Sequence, residues 1–320
     1  MSAFREAIAR EVRKEMLNPE FDTRYGRAKG GGRVFWIKHS GSRNFGQFVK
    51  EHPAYDDNVA AVHESFSSAV GAVVAGRGDE VRVTSGFSVT LGGVLSLSTS
   101  GVRWVGEGIG NKIPSFKVNN STSHGVALEG EGIEFDNFRF EAPLVDEALS
   151  MIRVKGAGCK VSNIYGIGSD GTNNFIDCIR VVSGANDFQL SNIRLSSSEG
   201  PAPVNSFLSF EAAISRFTSS GFYAIGSVGA SGVIDASSAR IKASVIKDWR
   251  IAVGGAGKAA VTLDTTKSSG IVDDCHFAGT ATTLANNGKF DGEWRLSQVY
   301  LSEEGNNAAQ GALIPAADTD

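Results

Sequence analysis

The sequence has 320 residues, of which 41% are hydrophobic and 21% charged, and its formal net charge is -4. A chain of this length can bury a large core. Its negative charge excludes a general attraction to nucleic acid, so we expect no nucleic-acid partner. The first residues lack the apolar segment of a signal peptide, and no stretch approaches the roughly 18 apolar residues of a membrane-spanning helix. We therefore expect synthesis in the cytoplasm and no membrane insertion.

Residues 1–33 are predicted to form an anchoring helix followed by a flexible basic arm. Over residues 2–17, apolar residues recur at every fourth position between charged ones, which is typical of an amphipathic helix. These apolar residues are Phe4, Ile8, Val12 and Met16. A helix this short needs a partner surface to be stable.

The arm that follows the predicted helix is basic and ends in the flexible segment Gly30–Gly32. Its cations are Arg24, Arg27, Lys29 and Arg33. The arm is either a solvated surface or a patch that binds an acidic partner. A candidate for such a partner is the acidic tail, residues 302–320, of a neighbouring copy of the chain.

Residues 34–78 are expected to begin and cap the domain that follows. Val34–Ile37 is predicted as a first strand, since four apolar residues stand together. Residues 57–75 carry apolar residues at helical spacing, and Gly76–Gly78 ends that pattern. We expect this helix to cover the open end of a repeat domain, because an uncapped terminal repeat exposes its core and its strand edges.

A repeating pattern organises residues 79–301, and Ile133–Phe140 shows it most clearly. Apolar residues stand at the first, third, sixth and eighth positions, and a small polar residue or glycine stands at the fifth. Along the chain the fifth position is occupied by Gly106, Asn137, Asn163, Asn192, Gly221, Asp248, Asp274 and Gln298. These positions recur at intervals of 24 to 31 residues.

The repeat predicts strands joined by sharp corners. Apolar residues two apart form one face of a strand, and the change of phase at the fifth position keeps that face inward while the backbone turns. Asparagine, aspartate and glycine suit such a corner because they tolerate left-handed backbone angles. The fold predicted from the repeat is all-β, a parallel β-helix built as a single-stranded solenoid. We expect the corner residues of successive coils to form a ladder that holds the coils in register.

Two segments after the predicted cap resemble a group of tailed-bacteriophage virion proteins. The first is Gly78–Gly86, with the sequence GDEVRVTSG, and the second runs from Leu95–Asn111 into Pro114–Phe116. In those relatives a Gly-Asp turn leads into a strand, an alternating strand and a glycine-rich loop before a proline. The resemblance covers residues 34–140 by motif. It implies a helix-capped, pectin-lyase-like right-handed parallel β-helix, a homotrimer, and a role as a tailspike, a fibre or a capsid-decoration protein.

Asp248 and Asp274 are the candidate catalytic residues, because pectin-lyase-like folds often cleave polysaccharides. Corner residues of successive coils lie about 4.8 Å apart, which is near the spacing of a retaining glycosidase pair. The same column contains asparagines at three other corners, so a ladder of turn residues is the simpler interpretation. If the chain is an enzyme, the fold implies a polysaccharide hydrolase or lyase. Tyr165, Tyr223 and Tyr300 are further aromatic candidates for lining a glycan groove.

The histidines and cysteines have no metal-binding spacing, and we expect no metal or other cofactor. We interpret the chain as a structural, non-enzymatic protein of a tailed-phage virion, a trimeric knob or fibre attached through its N-terminal arm to the capsid or the tail. The alternative is a tailspike receptor-binding protein that binds or depolymerises host surface polysaccharide. The expected partners are therefore the chain itself, capsid or tail proteins, and a host glycan.

Overall fold

The computed structural model describes residues 31–168, 170, 172–197, 205–235, 239–263, 268–280, 287–290, 292–303 and 312–313. The predicted helix over residues 2–17, the basic arm before Gly31 and most of the acidic tail lie outside these residues. Within the described part, the chain consists mainly of strands and turns. No helix in that part is long and apolar enough to cross a membrane.

The chain winds around one axis, and its successive coils form two long sheets of mainly parallel strands. This is a parallel β-helix, as the sequence predicted. With strands numbered in chain order, the larger sheet contains 14 strands: β1 (Val34–Ile37), β2 (Val62–His63), β3 (Glu80–Val83), β4 (Ser88–Leu91), β6 (Arg103–Gly106), β7 (Ser115–Val118), β9 (Glu134–Phe140), β11 (Lys160–Ile167), β13 (Gln189–Ser196), β16 (Thr218–Ser227), β19 (Ser244–Gly254), β21 (Ser269–Gly279), β23 (Glu293–Glu303) and β24 (Ala312–Leu313). The second sheet contains eight strands: β5 (Leu95–Leu97), β8 (His124–Leu128), β10 (Ala148–Val154), β12 (Phe175–Val181), β14 (Ser206–Phe210), β17 (Ser231–Asp235), β20 (Ala259–Leu263) and β22 (Gly288–Phe290).

The order of strands in the larger sheet gives the number of coils. Nine strands, from β3 to β23, follow one another along the sheet, so the described solenoid has about nine coils. At the C-terminal end β24 pairs antiparallel with β23. A short additional sheet pairs β15 (Ile214–Ser215) with β18 (Ile241–Lys242). The helices are α1 (Phe45–Glu51), α2 (Phe66–Ala72) and a 3-10 helix (Gly110–Lys112).

Inward side chains of successive coils stack into columns that fill the interior. Phe135 and Val161 occupy the same register on β9 and β11, as do Phe138 and Ile164 on the other side of the corner, and all four are fully buried. The rings of Phe135 and Phe138 stack across the corner, with their centroids 4.3 Å apart. Burying each such side chain contributes about 1.5 to 3 kcal/mol. The core is therefore continuous along the axis, and each coil rests on the next.

Seven of the eight predicted corner positions have a left-handed backbone, with φ between 49° and 67°. They are Asn137, Asn163, Asn192, Gly221, Asp248, Asp274 and Gln298. From β9 onward, one strand passes through the corner. The segment before Asn137 pairs with β6, and the segment after it pairs with β7.

Gly106 is not a corner of this kind, which corrects the sequence interpretation. It ends β6, and a loop that contains the 3-10 helix separates β6 from β7. A Cβ atom on Gly106 would lie 2.0 Å from the backbone oxygen of Asn137. Glycine is therefore needed here for close approach of the next coil, not for a left-handed turn.

The capping helix is shorter than the predicted span of residues 57–75. Only Phe66–Ala72 is helical. Asn58 has a φ of 63°, and Val62 pairs with Trp36 in a parallel strand, so the helix cannot begin earlier. The apolar spacing was misleading because Val62 fits the helical pattern but packs with Trp36, whereas Phe66 packs into the core of the solenoid.

The short helix α2 still covers the N-terminal end of the core. Phe66 packs against Phe87, Trp104 and Phe116, with ring centroids 6.0, 6.1 and 5.1 Å away. The sequence did not predict α1, which places Phe48 edge-on against Trp36 at 5.3 Å. The cap thus has two parts, one over the core and one against β1.

Candidate functional site

A row of outward side chains runs along the larger sheet, two residues after each corner. We call it the Arg/Tyr ladder. Its rungs, in coil order, are Arg139, Tyr165, Arg194, Tyr223, Arg250, His276 and Tyr300. Each rung lies in direct register with the next. Adjacent parallel strands are about 4.8 Å apart, so the seven rungs extend over about 29 Å.

The corner determines which side chains form the ladder. Because the apolar residues that follow each corner point inward, the residue between them points outward. Tyr223, for example, is 36% exposed between the buried side chains of Phe222 and Ala224. The strand register of the repeat is therefore sufficient to align the rungs of the ladder.

A groove of about 720 Å³ lies over the first six rungs. A second outward column, two residues further along each strand, also lines it. The members of this column are Ile167, Ser196, Ile225, Ala252 and Ala278. Ile225 is 59% exposed, which is unusual for an isoleucine on a strand. The groove thus combines aromatic rings and guanidinium groups with small or apolar side chains.

The two halves of the ladder differ in charge. Arg139 and Arg194 form no ion pair among the described residues, and the Arg194 guanidinium lies 5.6 Å from the centroid of the Tyr223 ring. In the other half, Nη2 of Arg250 lies 2.9 Å from Oδ1 of Asp274 and 3.4 Å from Oδ1 of Asp248. Unpaired positive charge is therefore concentrated in the N-terminal half.

Two other rungs have shifted pKa values. The hydroxyl of Tyr223 donates to Oδ2 of Asp248 at 2.8 Å, and this bond to a carboxylate raises the pKa of Tyr223. Burial, together with the charge of Arg250, lowers the pKa of His276, whose Nε2 lies 2.8 Å from Oγ of Ser302. Both rungs are uncharged at neutral pH.

Asp248 and Asp274, the candidate acidic pair, lie at consecutive corners beside the ladder. The single guanidinium of Arg250 pairs with both carboxylates, and Tyr223 donates to a second oxygen of Asp248. A retaining glycosidase needs an acid and a nucleophilic carboxylate that both reach the scissile bond. Here both oxygens of Asp248 and one oxygen of Asp274 are already bound by neighbouring side chains.

Asparagines at three consecutive corners are hydrogen-bonded to the preceding coil. Nδ2 of Asn137 donates to the backbone oxygen of Gly106 at 2.6 Å. Nδ2 of Asn163 donates to Oδ1 of Asp136 at 2.7 Å, and Nδ2 of Asn192 donates to Oδ1 of Asn163 at 2.5 Å. These bonds run between coils, so they stabilise the register as well as the turn.

A second polar cluster lies at the start of strands in the second sheet. His124, Ser150, Asp177 and Ser206 stand in one register column. Nδ1 of His124 lies 2.8 Å from Oγ of Ser150, and Oγ of Ser206 donates to Oδ1 of Asp177 at 2.7 Å. Burial lowers the pKa of His124 to about 4 and raises the pKa of Asp177.

This cluster contains serine, histidine and aspartate but is not arranged as a catalytic triad. In a triad the aspartate orients the histidine, whereas Asp177 is bonded to Ser206. Ser150 is 0% exposed, so no substrate reaches its hydroxyl. The cluster pairs polar groups that folding buries.

Of the predicted anchoring residues, only Arg33 lies within the described part of the chain. Its Nη1 pairs with Asp57 at 2.8 Å, and its guanidinium lies 4.5 Å from the centroid of the Tyr55 ring. Arg33 is thus engaged within the cap. The other anchoring residues, which lie outside the described part, are Phe4, Ile8, Val12, Met16, Arg24, Arg27 and Lys29.

In the described ranges, no group of three or more histidine, cysteine, aspartate or glutamate side chains is placed to hold a metal ion. All three cysteines are free and buried. Burial raises the pKa of Cys159 to about 11 and that of Cys275 to about 12. These thiols are therefore protonated core residues at neutral pH.

The sequence drew attention to three rungs without relating them to one another. Tyr165, Tyr223 and Tyr300 appeared as separate aromatic residues, and the structure places them in one column. Arg139 and Arg194 were missed because rungs are neighbours in space but far apart in the chain. A signal was available, since every rung stands two positions after a predicted corner.

No protein-family model and no curated protein matches the chain. Among solved structures, the chain is similar to Geobacillus virus E2 ORF18, with 10% identity and a TM-score of 0.32. The similarity covers 82% of this chain and 62% of that one, so this chain spans less than two thirds of the length of the other. A similarity this distant carries no information on function. The fold and the groove described above define the chain as a parallel β-helix protein whose outer surface carries a groove of aromatic and cationic side chains parallel to the axis.

Proposed function

We propose that the protein is a non-enzymatic β-helical component of a tailed-phage particle, and that it binds bacterial surface polysaccharide in the groove over the first six rungs of the Arg/Tyr ladder. The observation that carries the binding role is the in-register alternation of arginine and tyrosine on successive coils. The motifs in Gly78–Gly86 and Leu95–Asn111, which resemble those of phage virion proteins, support the assignment to a particle.

The ladder offers the two kinds of contact that bind sugars. Tyrosine rings present flat apolar faces with a polar tip, on which the C–H face of a sugar ring packs. Arginine forks donate paired hydrogen bonds to oxygens. The coil spacing of about 4.8 Å is comparable to the length of one sugar unit in an extended chain. A polysaccharide that lies parallel to the solenoid axis therefore meets about one rung per sugar.

The proposed role is binding without cleavage. Arg250 pairs with both Asp248 and Asp274, and these two carboxylates lie beside the ladder. A polymer bound in the groove therefore meets an ion-paired cluster at the place where a glycosidase would present its acid and nucleophile.

Binding of the purified protein to surface polysaccharide from the host bacterium tests this proposal. Replacing Tyr165 and Tyr223 together with alanine removes two stacking faces, and we expect at least about a tenfold loss of affinity. Tyr300→Ala is the control and should bind as the wild type does, because this tyrosine is 44% exposed in the same column but does not line the groove. Equal binding by the wild type and the double variant would contradict the proposal.

The same samples test the absence of cleavage. After long incubation the polysaccharide is expected to keep its length, as measured by size-exclusion chromatography. Release of oligosaccharide by the wild type, and its loss in Asp248→Asn or Asp274→Asn, would instead assign the protein as a depolymerase.

Attachment to the particle is proposed to use residues 1–33, and the assembly is proposed to be a homotrimer. The amphipathic pattern over residues 2–17 and the basic arm support the attachment, whether to the capsid or to the tail. Deletion of residues 1–30 is expected to leave a folded trimer that no longer joins particles. Normal incorporation of the truncated protein would overturn this part of the proposal.

A further inference from the structure

The unpaired cations of the ladder lie two coils apart, with one tyrosine between them. Arg139 and Arg194 each stand in register with Tyr165. Two coil spacings correspond to about 9.6 Å, which is comparable to the length of two linked sugar rings. The distance between the two cations is therefore comparable to the length of one disaccharide.

The neighbouring corners explain why these two cations are unpaired. At the rung of Arg250, the adjacent corners are Asp248 and Asp274, and both carboxylates bind the guanidinium. At the rung of Arg194, the adjacent corners are Asn192 and Gly221, which carry no charge.

Arg139 is in the same position as Arg194. Its adjacent corners are Asn137 and Asn163. The nearby carboxylate of Glu141 is bound by Nζ of Lys117 at 3.0 Å, and Arg139 interacts with it through its charge without forming an ion pair. Within the described part of the chain, one arginine of the ladder, Arg250, thus forms ion pairs with carboxylates, and the other two form none.

From this difference we infer that the groove selects an acidic polysaccharide whose carboxylates recur on alternate sugars. One carboxylate binds Arg139 and the next binds Arg194, and the sugar between them packs on Tyr165. Arginine suits this role because its planar fork binds a carboxylate through two parallel hydrogen bonds. The inference rests on the proposed glycan-binding function and specifies the class of glycan.

A nucleic-acid strand fits this surface less well. Such a strand carries a charge on every nucleotide, whereas the unpaired cations occur only on alternate coils. The carboxylates of Asp248 and Asp274 also lie beside the path of a continuous polyanion, and the whole chain has a net charge of -4.

Isothermal titration of the full-length protein with four probes of matched length tests the inference. The first is a hyaluronan oligosaccharide, which carries a carboxylate on alternate sugars. The second is the same oligosaccharide with its carboxylates reduced to alcohols. The third is an oligogalacturonate, which carries a carboxylate on every sugar, and the fourth is oligothymidylate.

We expect hyaluronan to bind at least about tenfold more tightly than its reduced form, and more tightly than the other two probes. Arg194→Gln should remove that preference. Arg194→Lys should keep part of it, because lysine retains the positive charge but cannot form the two parallel hydrogen bonds of a guanidinium group. Arg295→Gln is the charge-matched control, since Arg295 is exposed on the larger sheet away from the ladder. It should bind as the wild type does.

Other outcomes overturn the inference in ways that separate it from the proposed function. Equal binding of native and reduced hyaluronan overturns the acidic preference and leaves glycan binding standing. Equal binding of oligogalacturonate overturns the two-coil spacing, and tighter binding of oligothymidylate overturns the glycan class. If none of the probes binds, the inference fails, and the host-polysaccharide experiment with the tyrosine variants decides the proposed function separately.

Discussion

Asn192 shows what a single corner residue contributes to the solenoid. Its φ is 50°, and its side chain donates a hydrogen bond to Asn163 on the preceding coil at 2.5 Å. A left-handed backbone costs most residues about 1 to 2 kcal/mol, and asparagine tolerates it better than alanine does. The residue therefore supplies both the turn and a bond between coils.

Substitution of Asn192 should separate these two contributions. Asn192→Ala loses the hydrogen bond and strains the turn, so we expect a loss of about 1 to 3 kcal/mol in unfolding free energy. Asn192→Gly loses the bond but adopts the turn without strain, and it should cost less. Urea unfolding measures both, and equal losses would show that the left-handed angle is not what selects asparagine.

Protonation of His124, on the second sheet, makes the stability of the protein depend on pH. Its folded pKa is about 4, because burial disfavours the charged ring, against an ordinary value of 6.5. The charges of Arg180 and Arg153 act in the same direction, and that of Glu211 opposes them. In this range the unfolded chain binds a proton that the folded chain does not, so stability falls as pH falls from 6.5 toward 4.

Removal of His124 should weaken this pH dependence. Between about pH 7 and about pH 5, the wild type should lose about 1 to 2 kcal/mol more stability than His124→Gln, a range that allows for the partial exposure of the ring. Urea midpoints at the two pH values give the difference. The same loss in both proteins would assign the pH dependence to other groups.

At the scale of the element, the stacked phenylalanines of β9 carry the packing. Phe138 is fully buried and contacts Phe66 of α2 and Phe116 of β7, with ring centroids 6.5 and 5.4 Å away, as well as Phe135 on its own strand. This ring therefore connects the cap to the first regular coil.

Phe138→Ala, like Phe135→Ala, should destabilise the protein by about 3 to 5 kcal/mol, because it leaves a cavity that rigid coils cannot close. Ile109→Ala is the control, since Ile109 is 89% exposed, and it should change stability by less than about 0.5 kcal/mol. Chemical unfolding followed by tryptophan fluorescence gives both values. A small effect at Phe138 would mean that the end of the solenoid repacks.

The repeating elements were predictable from sequence because the change of phase in the apolar pattern at each corner involves only residues that are adjacent in the chain. Asn137 and Asp274 are recognisable from their immediate neighbours alone. Gly106 was misread, since a glycine that permits close approach looks the same in sequence as a glycine in a left-handed turn. The start of the capping helix was also misread, because Val62 satisfies helical spacing while pairing as a strand.

The candidate site was less predictable than the fold for a physical reason. Its rungs come from different coils, and only the strand register brings Arg194 beside Tyr223. The pairing of Arg250 with two corner carboxylates likewise depends on side-chain geometry that no local pattern encodes. The sequence identifies which residues face outward, and the structure identifies which of them act together.

At the scale of the whole molecule, the solenoid is a rigid support for one long groove. The core is continuous, the N-terminal end is covered by α2, and the ladder runs parallel to the axis on a single face. A linear polymer is the ligand that fits such a face, because the same contacts recur coil after coil.

A structure of the protein bound to surface polysaccharide of the host, by crystallography or electron cryomicroscopy of decorated particles, would locate the bound glycan directly. We expect a glycan chain that lies along the solenoid axis, with sugars packed on Tyr165 and Tyr223 and acidic groups at Arg139 and Arg194. A chain bound on the second sheet, or one that crosses the coils at the Asp248 and Asp274 corners and is cleaved there, would contradict it.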